Sequence, residues 1–189
     1  MKRTLAAAFG AGCALLAGAQ PVSYRLDPAH SFVHFEVMHF GTSTLRGRFG
    51  PLDGIVEFDR SARRGEVSVI VPTRIVSTGV APLDGRLRQA DLLASDAWPE
   101  AFFVARQFVF AGDALRELRG ELTLRGISRP LALRAERFSC GVHPVVQRDW
   151  CGGDFEAELR RSDFGMDFGL PLVADRVRLR VQVEAIAQR

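Results

Sequence analysis

Lysine is nearly missing from this chain. Lys2 is the only one, and every other fixed cation is an arginine. Phosphate-binding loops of the G-x-x-x-x-G-K-S/T kind are absent, and so is G-x-G-x-x-G. No G-x-S-x-G elbow occurs, which removes the commonest frame for a serine nucleophile. There is no C-x-x-C, no internal repeat and no low-complexity or Pro/Ser-rich linker. The formal charge is +3, and Lys2 and Arg3 supply two of those units (3 minus 2 leaves +1). A nearly neutral chain offers no electrostatic case for nucleic acid. The use of arginine in place of lysine reads first as genomic base composition; the functional alternative is that some arginines fork onto phosphate or carboxylate.

What is present starts with a processing segment. Lys2 and Arg3 form a basic start, Leu5 to Leu16 an apolar Ala/Gly-rich stretch, and Ala17-Gly18-Ala19 an A-x-A site. This reads as a signal peptide over 1–19, cleaved after Ala19. The apolar stretch is too short to span a bilayer. A lipoprotein signal ending at Cys13 is the weaker reading, because Gly10 stands where a Leu-like residue is usual. Export implies a bacterial periplasm as the destination. The remaining domain, 20–189, is long enough for one real core.

Two cysteines follow the cleavage site, Cys140 and Cys151. An even pair in an exported protein reads as a disulfide. The segment between them carries turn residues near its middle, so the bridge would close the base of a hairpin and stabilise the fold by roughly 3 kcal/mol. No second Cys pair accompanies His143, which argues against zinc.

The dominant period is two. In Val177 to Ala185 the apolar residues hold one parity and the charged residues the other, as in a strand with one wet face. The same alternation turns Val67, Val69 and Val71 inward, then Leu122 and Leu124, Leu131 and Leu133, and Phe155, Ala157 and Leu159. Gly41, Asp53-Gly54, Arg64-Gly65, Gly112-Asp113 and Gly126 punctuate the runs as turns. One segment breaks the period: residues 83–93 place Leu83, Leu87 and Ala90 on a helical face. Many strands with one short helix predict an all-β fold, either a sandwich or a closed antiparallel barrel of about eight strands.

Phenylalanine is abundant, 14 against one Tyr and two Trp. Alternation assigns Phe35, Phe58, Phe102, Phe108, Phe110 and Phe155 to the interior. They either fill a barrel or line an apolar cavity, and periodicity does not separate the two. Phe32, Met38 and Phe40 oppose Val33, Phe35 and Val37, while Phe103 and Val109 oppose Phe102 and Phe110. Two apolar faces require cover on both sides, from the helix or from a partner subunit.

The motif order then becomes specific. Asp27-x-x-His30-Ser31, His39-x-Gly41, Gly47-x-Phe49 and Gly54-x-Val56-x-Phe58-Asp59 are followed by Ser77-Thr78-Gly79 and Trp98-Pro99-x-x-Phe102. Gly120-x-Leu122-Thr123-Leu124-x-Gly126 and Arg161-Ser162-Asp163-Phe164-Gly165 complete the series. This order, from Tyr24 to Ala185, resembles the YceI-like family. The resemblance implies a single eight-stranded, lipocalin-like barrel with a long apolar tunnel. It also implies a bound polyprenyl chain or isoprenoid quinone, often in a dimer. The expected function is a periplasmic carrier of such a lipid, with no further cofactor and no metal.

The expected tunnel residues are Phe35, Val37, His39, Phe58, Phe102, Phe108, Phe110, Phe155 and Phe164. His39 shares the inward parity and is placed to meet a quinone carbonyl or a phosphate. Arg46 and Arg48 share a face and are the further headgroup candidates. Catalysis by His30-Ser31 is disfavoured, because adjacent strand residues point to opposite faces. Asp27 and Ser31 are expected instead to organise the entry into the first long strand. The alternatives are a lipid-modifying enzyme using His39 or His30, and a module delivering quinone to a membrane redox protein.

Overall fold

The computed structural model describes residues 20–189; the signal-peptide reading of 1–19 lies outside the described residues. The strands are β1 (Val22–Leu26), β2 (Phe32–His39), β3 (Ser43–Phe49), β4 (Asp53–Asp59), β5 (Arg64–Pro72), β6 (Glu100–Ala111), β7 (Ala114–Leu124), β8 (Ile127–Val142), β9 (Asp149–Arg160) and β10 (Val173–Ala187). They form one antiparallel sheet in the order β1-β4-β5-β6-β7-β8-β9-β10-β2-β3, with an additional β1–β10 pairing that closes it.

Ten segments make eight staves. β10 pairs with β2 through Val173 to Gln182 and with β1 through Ala185 to Ala187, so β1 and β2 lie end to end along one neighbour. β3 and β4 are split in the same way, β3 against β2 and β4 against β1. The result is a closed eight-stranded antiparallel barrel, as the motif order implies. Closure leaves no long open edge.

The break between β1 and β2 is fastened by the Asp27-x-x-His30-Ser31 motif. Ser31 is fully buried, and its hydroxyl donates to the Glu184 carbonyl and accepts from the Glu184 N–H. It thereby replaces ladder bonds that the break removes. Asp27 accepts from the Ala29 N–H and, at 2.6 Å, from His30 Nδ1. This matches the organising role expected of Asp27 and Ser31.

The upper end of the barrel, where β2 stops and β10 starts, carries the long connections. The helix expected over 83–93 is shorter and earlier: α1 runs Ala81–Leu87. Pro82 suits its first turn. Beyond Leu87 the chain folds into turns, with Leu93 N–H on the Leu87 carbonyl and Arg125 donating to the Ala90 and Leu92 carbonyls. Ala90 is consequently exposed, while Leu93 points into the core. The strand ladder of β3 continues onto Ser77, which exchanges two backbone hydrogen bonds with Arg48.

At the opposite, lower end the turns are short. The Cys140–Cys151 disulfide forms between residues directly opposite each other on β8 and β9, as the spacing predicts. On the outer wall of β8, β9 and β10, Arg134, Arg176 and Arg178 interleave with Glu156 and Glu158. The alternating arginines of the sequence are thus the wet face.

Candidate functional site: an apolar tunnel

Side chains from every stave converge on a cavity of about 150 Å³ inside the barrel. An apolar cavity of that size has no partners to hold water and stays dry. On β7 alone Leu115, Leu118, Leu122 and Leu124 line it. At ~3.3 Å per residue this is about 30 Å of strand, or on the order of 20 Å of axis once barrel tilt is included. The cavity is therefore long and narrow, with Tyr24 and Phe58 towards one end and Leu93 and Thr73 towards the other. Among the described residues no charged side chain lines it. The Thr73 hydroxyl, the one Ser/Thr hydroxyl on its wall, already donates to the Trp98 carbonyl at 2.7 Å.

Among the residues expected to line a tunnel, Phe58, Phe108 and Phe155 do so. Phe58 and Phe108 stack with ring centroids 5.4 Å apart. Phe35, Val37 and Phe164 are buried but sit outside the lining. Phe35 lies over Gly47, where a Cβ would come within 2.4 Å of its ring; this explains the glycine in that motif. Phe110 stacks on Phe58 from outside the lining, with centroids 6.4 Å apart.

Phe102 is a correction. It is 42% exposed, and its neighbour Phe103 is the buried, lining residue. The pairing of β6 with β7 shifts between Ala105 and Gln107, so an extra residue enters the strand there. Such a bulge reverses parity along the strand. Counting back from Phe108 in twos therefore lands on the wrong phenylalanine.

The three headgroup candidates lie outside the cavity lining. His39 keeps the inward parity, but β2 runs past the end of the cavity. Its ring packs on Phe40 at 3.9 Å, and its backbone pairs with Ser43 and Val173. Arg46 and Arg48 flank Gly47 on the outer face. Arg46 donates to Glu36, and Arg48 lies over the Phe32 ring at 4.8 Å. None of the three lines the cavity.

Sequence reasoning missed Tyr24, Phe49, Phe103 and Phe138 as lining residues. Val22-Ser23-Tyr24-Arg25-Leu26 alternates cleanly, so the signal for Tyr24 was available. His30 bonds to Asp27 while Ser31 bonds to Glu184, so the two side chains are fastened to different partners. His143 Nδ1 accepts from the Val145 and Val146 N–H groups within the β8–β9 turn. Among the described residues no three His, Cys, Asp or Glu side chains gather as a metal site.

Buried polarity concentrates at the upper rim. Arg161 is 6% exposed and donates to the carbonyls of Met166, Phe168, Val173 and Ala174 at 2.5–2.9 Å. Burial pushes its guanidinium down from the usual range, opposed by Asp175 and Asp167. Burial also acts to raise Asp175, but the N–H and hydroxyl of Ser162 outweigh it and hold that carboxyl low. Arg161 and Asp175 thus tie the 161–175 connection across the rim.

This barrel geometry recurs in known proteins. Over 84% of this chain and 98% of the other, the fold matches the crystal structure of Burkholderia cenocepacia BcnA, with a TM-score of 0.71 and 19% identity. A polyisoprenoid binding domain from Saccharophagus degradans, implicated in plant cell wall breakdown, matches over 88% of this chain and 99% of its own (TM-score 0.65, 17% identity). In sequence, Protein YceI of Shigella flexneri is 34% identical over 188 residues, covering 96% of this chain and 93% of the relative. A UPF0312 protein of Pseudomonas aeruginosa is 33% identical over 196 residues and the full length of both. The model of the YceI-like domain matches residues 24–185, and the chain therefore belongs to the YceI-like family.

Proposed function

We propose that this protein is a periplasmic carrier of an isoprenoid lipid, a polyprenyl chain or an isoprenoid quinone, held in the barrel tunnel. One observation carries the reading: a long, narrow cavity with no charged lining residue among the described residues. Burying an apolar chain there releases about 0.8 kcal/mol per CH2, so tight binding needs no catalytic group. The polyisoprenoid-binding description of the Saccharophagus degradans domain supports the same ligand class. The protein acts by binding rather than by turnover.

Delivery to a membrane or a membrane redox protein draws on a separate observation. Phe40, Phe168 and Leu172 are each more than half exposed at the upper end, and the Phe40 N–H bonds to the Leu172 carbonyl. Homodimer formation through such exposed apolar groups belongs to the same reading.

The test is native mass spectrometry of protein purified from periplasm, with extraction and identification of released lipid. A stoichiometric isoprenoid is expected. Phe103→Asp abolishes retention, whereas Phe102→Asp on the same strand retains it. Leu122→Trp, which fills the tunnel without a buried charge, separates blocked binding from lost folding. An empty wild-type protein that takes up no polyprenyl lipid or quinone overturns the carrier reading.

A further inference from the structure

The outer wall of β8, β9 and β10 changes character along the barrel. Higher up it is zipped by charge: Glu156 pairs with Arg134 and Arg178, and Glu158 with Arg176 and Arg178. Lower down the register sets three rows across the strands: Arg137–Asp154–Gln182, Ser139–Gly152–Glu184 and Gly141–Trp150–Ile186. Glycine at the centre of this grid, and again beside Trp150, removes side chains from the wall. A cleft of about 410 Å³ opens there, lined among others by Ser139, Trp150, Gln182 and Glu184.

Trp150 forms one side of the cleft. A Cβ on Gly152 would come within 2.9 Å of its Cζ3, and one on Gly141 within 3.8 Å of its Nε1. The indole thus rests across two glycines, with the His143 ring set edge-on to it at 6.1 Å. It is half-buried, and its remaining surface lines the cleft. The polar groups around it are unevenly committed. Arg137 is spent on Asp154. Gln182 donates to the His30 carbonyl, which leaves its own side-chain oxygen to accept. Among the described residues no arginine pairs with Glu184, unlike the carboxylates above it. The charge of Glu184 is felt at His30, but that ring is bonded to Asp27.

We propose that this cleft binds a neutral sugar ring, independently of the tunnel. A pyranose has a C–H face and a girdle of hydroxyls that both donate and accept. The C–H face suits the electron-rich face of an indole. The hydroxyls meet the Glu184 carboxylate, the Gln182 oxygen and the Ser139 hydroxyl, which both donates and accepts. Neighbouring strands lie ~4.8 Å apart and outward residues along one strand ~6.7 Å apart, a grid on the scale of one such ring. An anion is disfavoured, because two carboxylates face a single arginine already engaged with one of them. A compact cation would use Glu184 and leave the other groups idle.

The experiment titrates neutral disaccharides of glucose, galactose, mannose and N-acetylglucosamine, with tetramethylammonium as the competing probe. Tryptophan emission is read in Trp98→Phe, where Trp150 is the remaining indole. At least one disaccharide is expected to bind and to shift that emission. Glu184→Ala should weaken it tenfold or more with Tm unchanged, as for a hydrogen bond to a charged group. Trp150→Leu should abolish it, while Arg176→Ala, higher on the same wall, and Leu122→Trp in the tunnel should leave it intact. No binding by any disaccharide overturns the proposal. Binding that survives Glu184→Ala overturns the site, and if Trp150→Leu also lowers Tm, the indole is a cover for Gly152 alone. Tetramethylammonium bound more tightly than every disaccharide, and lost in Glu184→Ala, overturns the neutral ligand. Sugar binding lost in Leu122→Trp overturns the independence of cleft and tunnel.

Discussion

The two ends of the barrel are closed by different means. At the upper end the long connections 73–99 and 161–172 leave many carbonyls outside any ladder. Cations answer them: Arg161 takes four, Arg125 takes two, and Arg74 takes those of Ser95 and Asp96. At the lower end the turns are short and few carbonyls are free. There the closure is apolar and covalent, with Phe58 packed on Phe108, Phe110 and Phe138, and with the disulfide beside them. Irregular backbone needs donors, whereas tight turns leave room for rings.

The comparison breaks most severely at Arg161. Arg161→Met keeps much of the volume but removes every donor from four carbonyls of the rim. A loss of about 4 kcal/mol is expected, seen as a drop of roughly 10 °C in Tm, with Arg161→Lys in between. An unchanged Tm for the methionine variant would show that water satisfies that loop and that its buried cation is dispensable.

A smaller effect is expected at the other end. Cys140→Ser with Cys151→Ser should cost about 3 kcal/mol while leaving the barrel folded. Hydrogen exchange sharpens the contrast: the lower turns should lose protection while the 161–175 connection keeps it. Equal loss at both ends would mean that the ends are not separate closures.

The smallest effect concerns the clasp between β1 and β2. The bond to Asp27 raises the His30 pKa above its ordinary value, and the bond to His30 is the main cause holding the Asp27 carboxyl low. A raised histidine contributes stability that is fully present below about pH 6.5 and is lost as pH rises through the folded value. Asp27 contributes above its ordinary range and loses that contribution on acidification. The Tm difference between wild type and His30→Asn should therefore shrink from pH 6 to pH 9. A difference that grows over that span would refute the assignment. His30 is exposed, so the effect is modest.

Much of the fold was legible because strand alternation is a direct record of a one-sided wall. Val177 to Ala185 and Leu122 to Leu124 could be assigned face by face. The tunnel was less legible because periodicity reports which face is inward, not how far along the axis the cavity runs. His39 had the correct parity yet sits beyond the cavity. Phe102 failed for another reason: the bulge near Arg106 leaves no strong mark in composition. The α1 boundary moved because Arg125, distant in sequence, supplies hydrogen bonds to the turns after the helix. Tyr24 was readable by alternation but was hidden among fourteen phenylalanines.

The pairing of β10 with both β1 and β2 has a kinetic consequence. The first and last strands of the domain are wall neighbours, joined across nearly its whole length. Such a contact carries a high loop-closure cost and slows folding. A chain synthesised from its N-terminus cannot finish the wall until β10 arrives. The cavity is therefore a property of the completed wall, and a chain truncated before Val173 lacks the strand that joins β1 and β2 to β9.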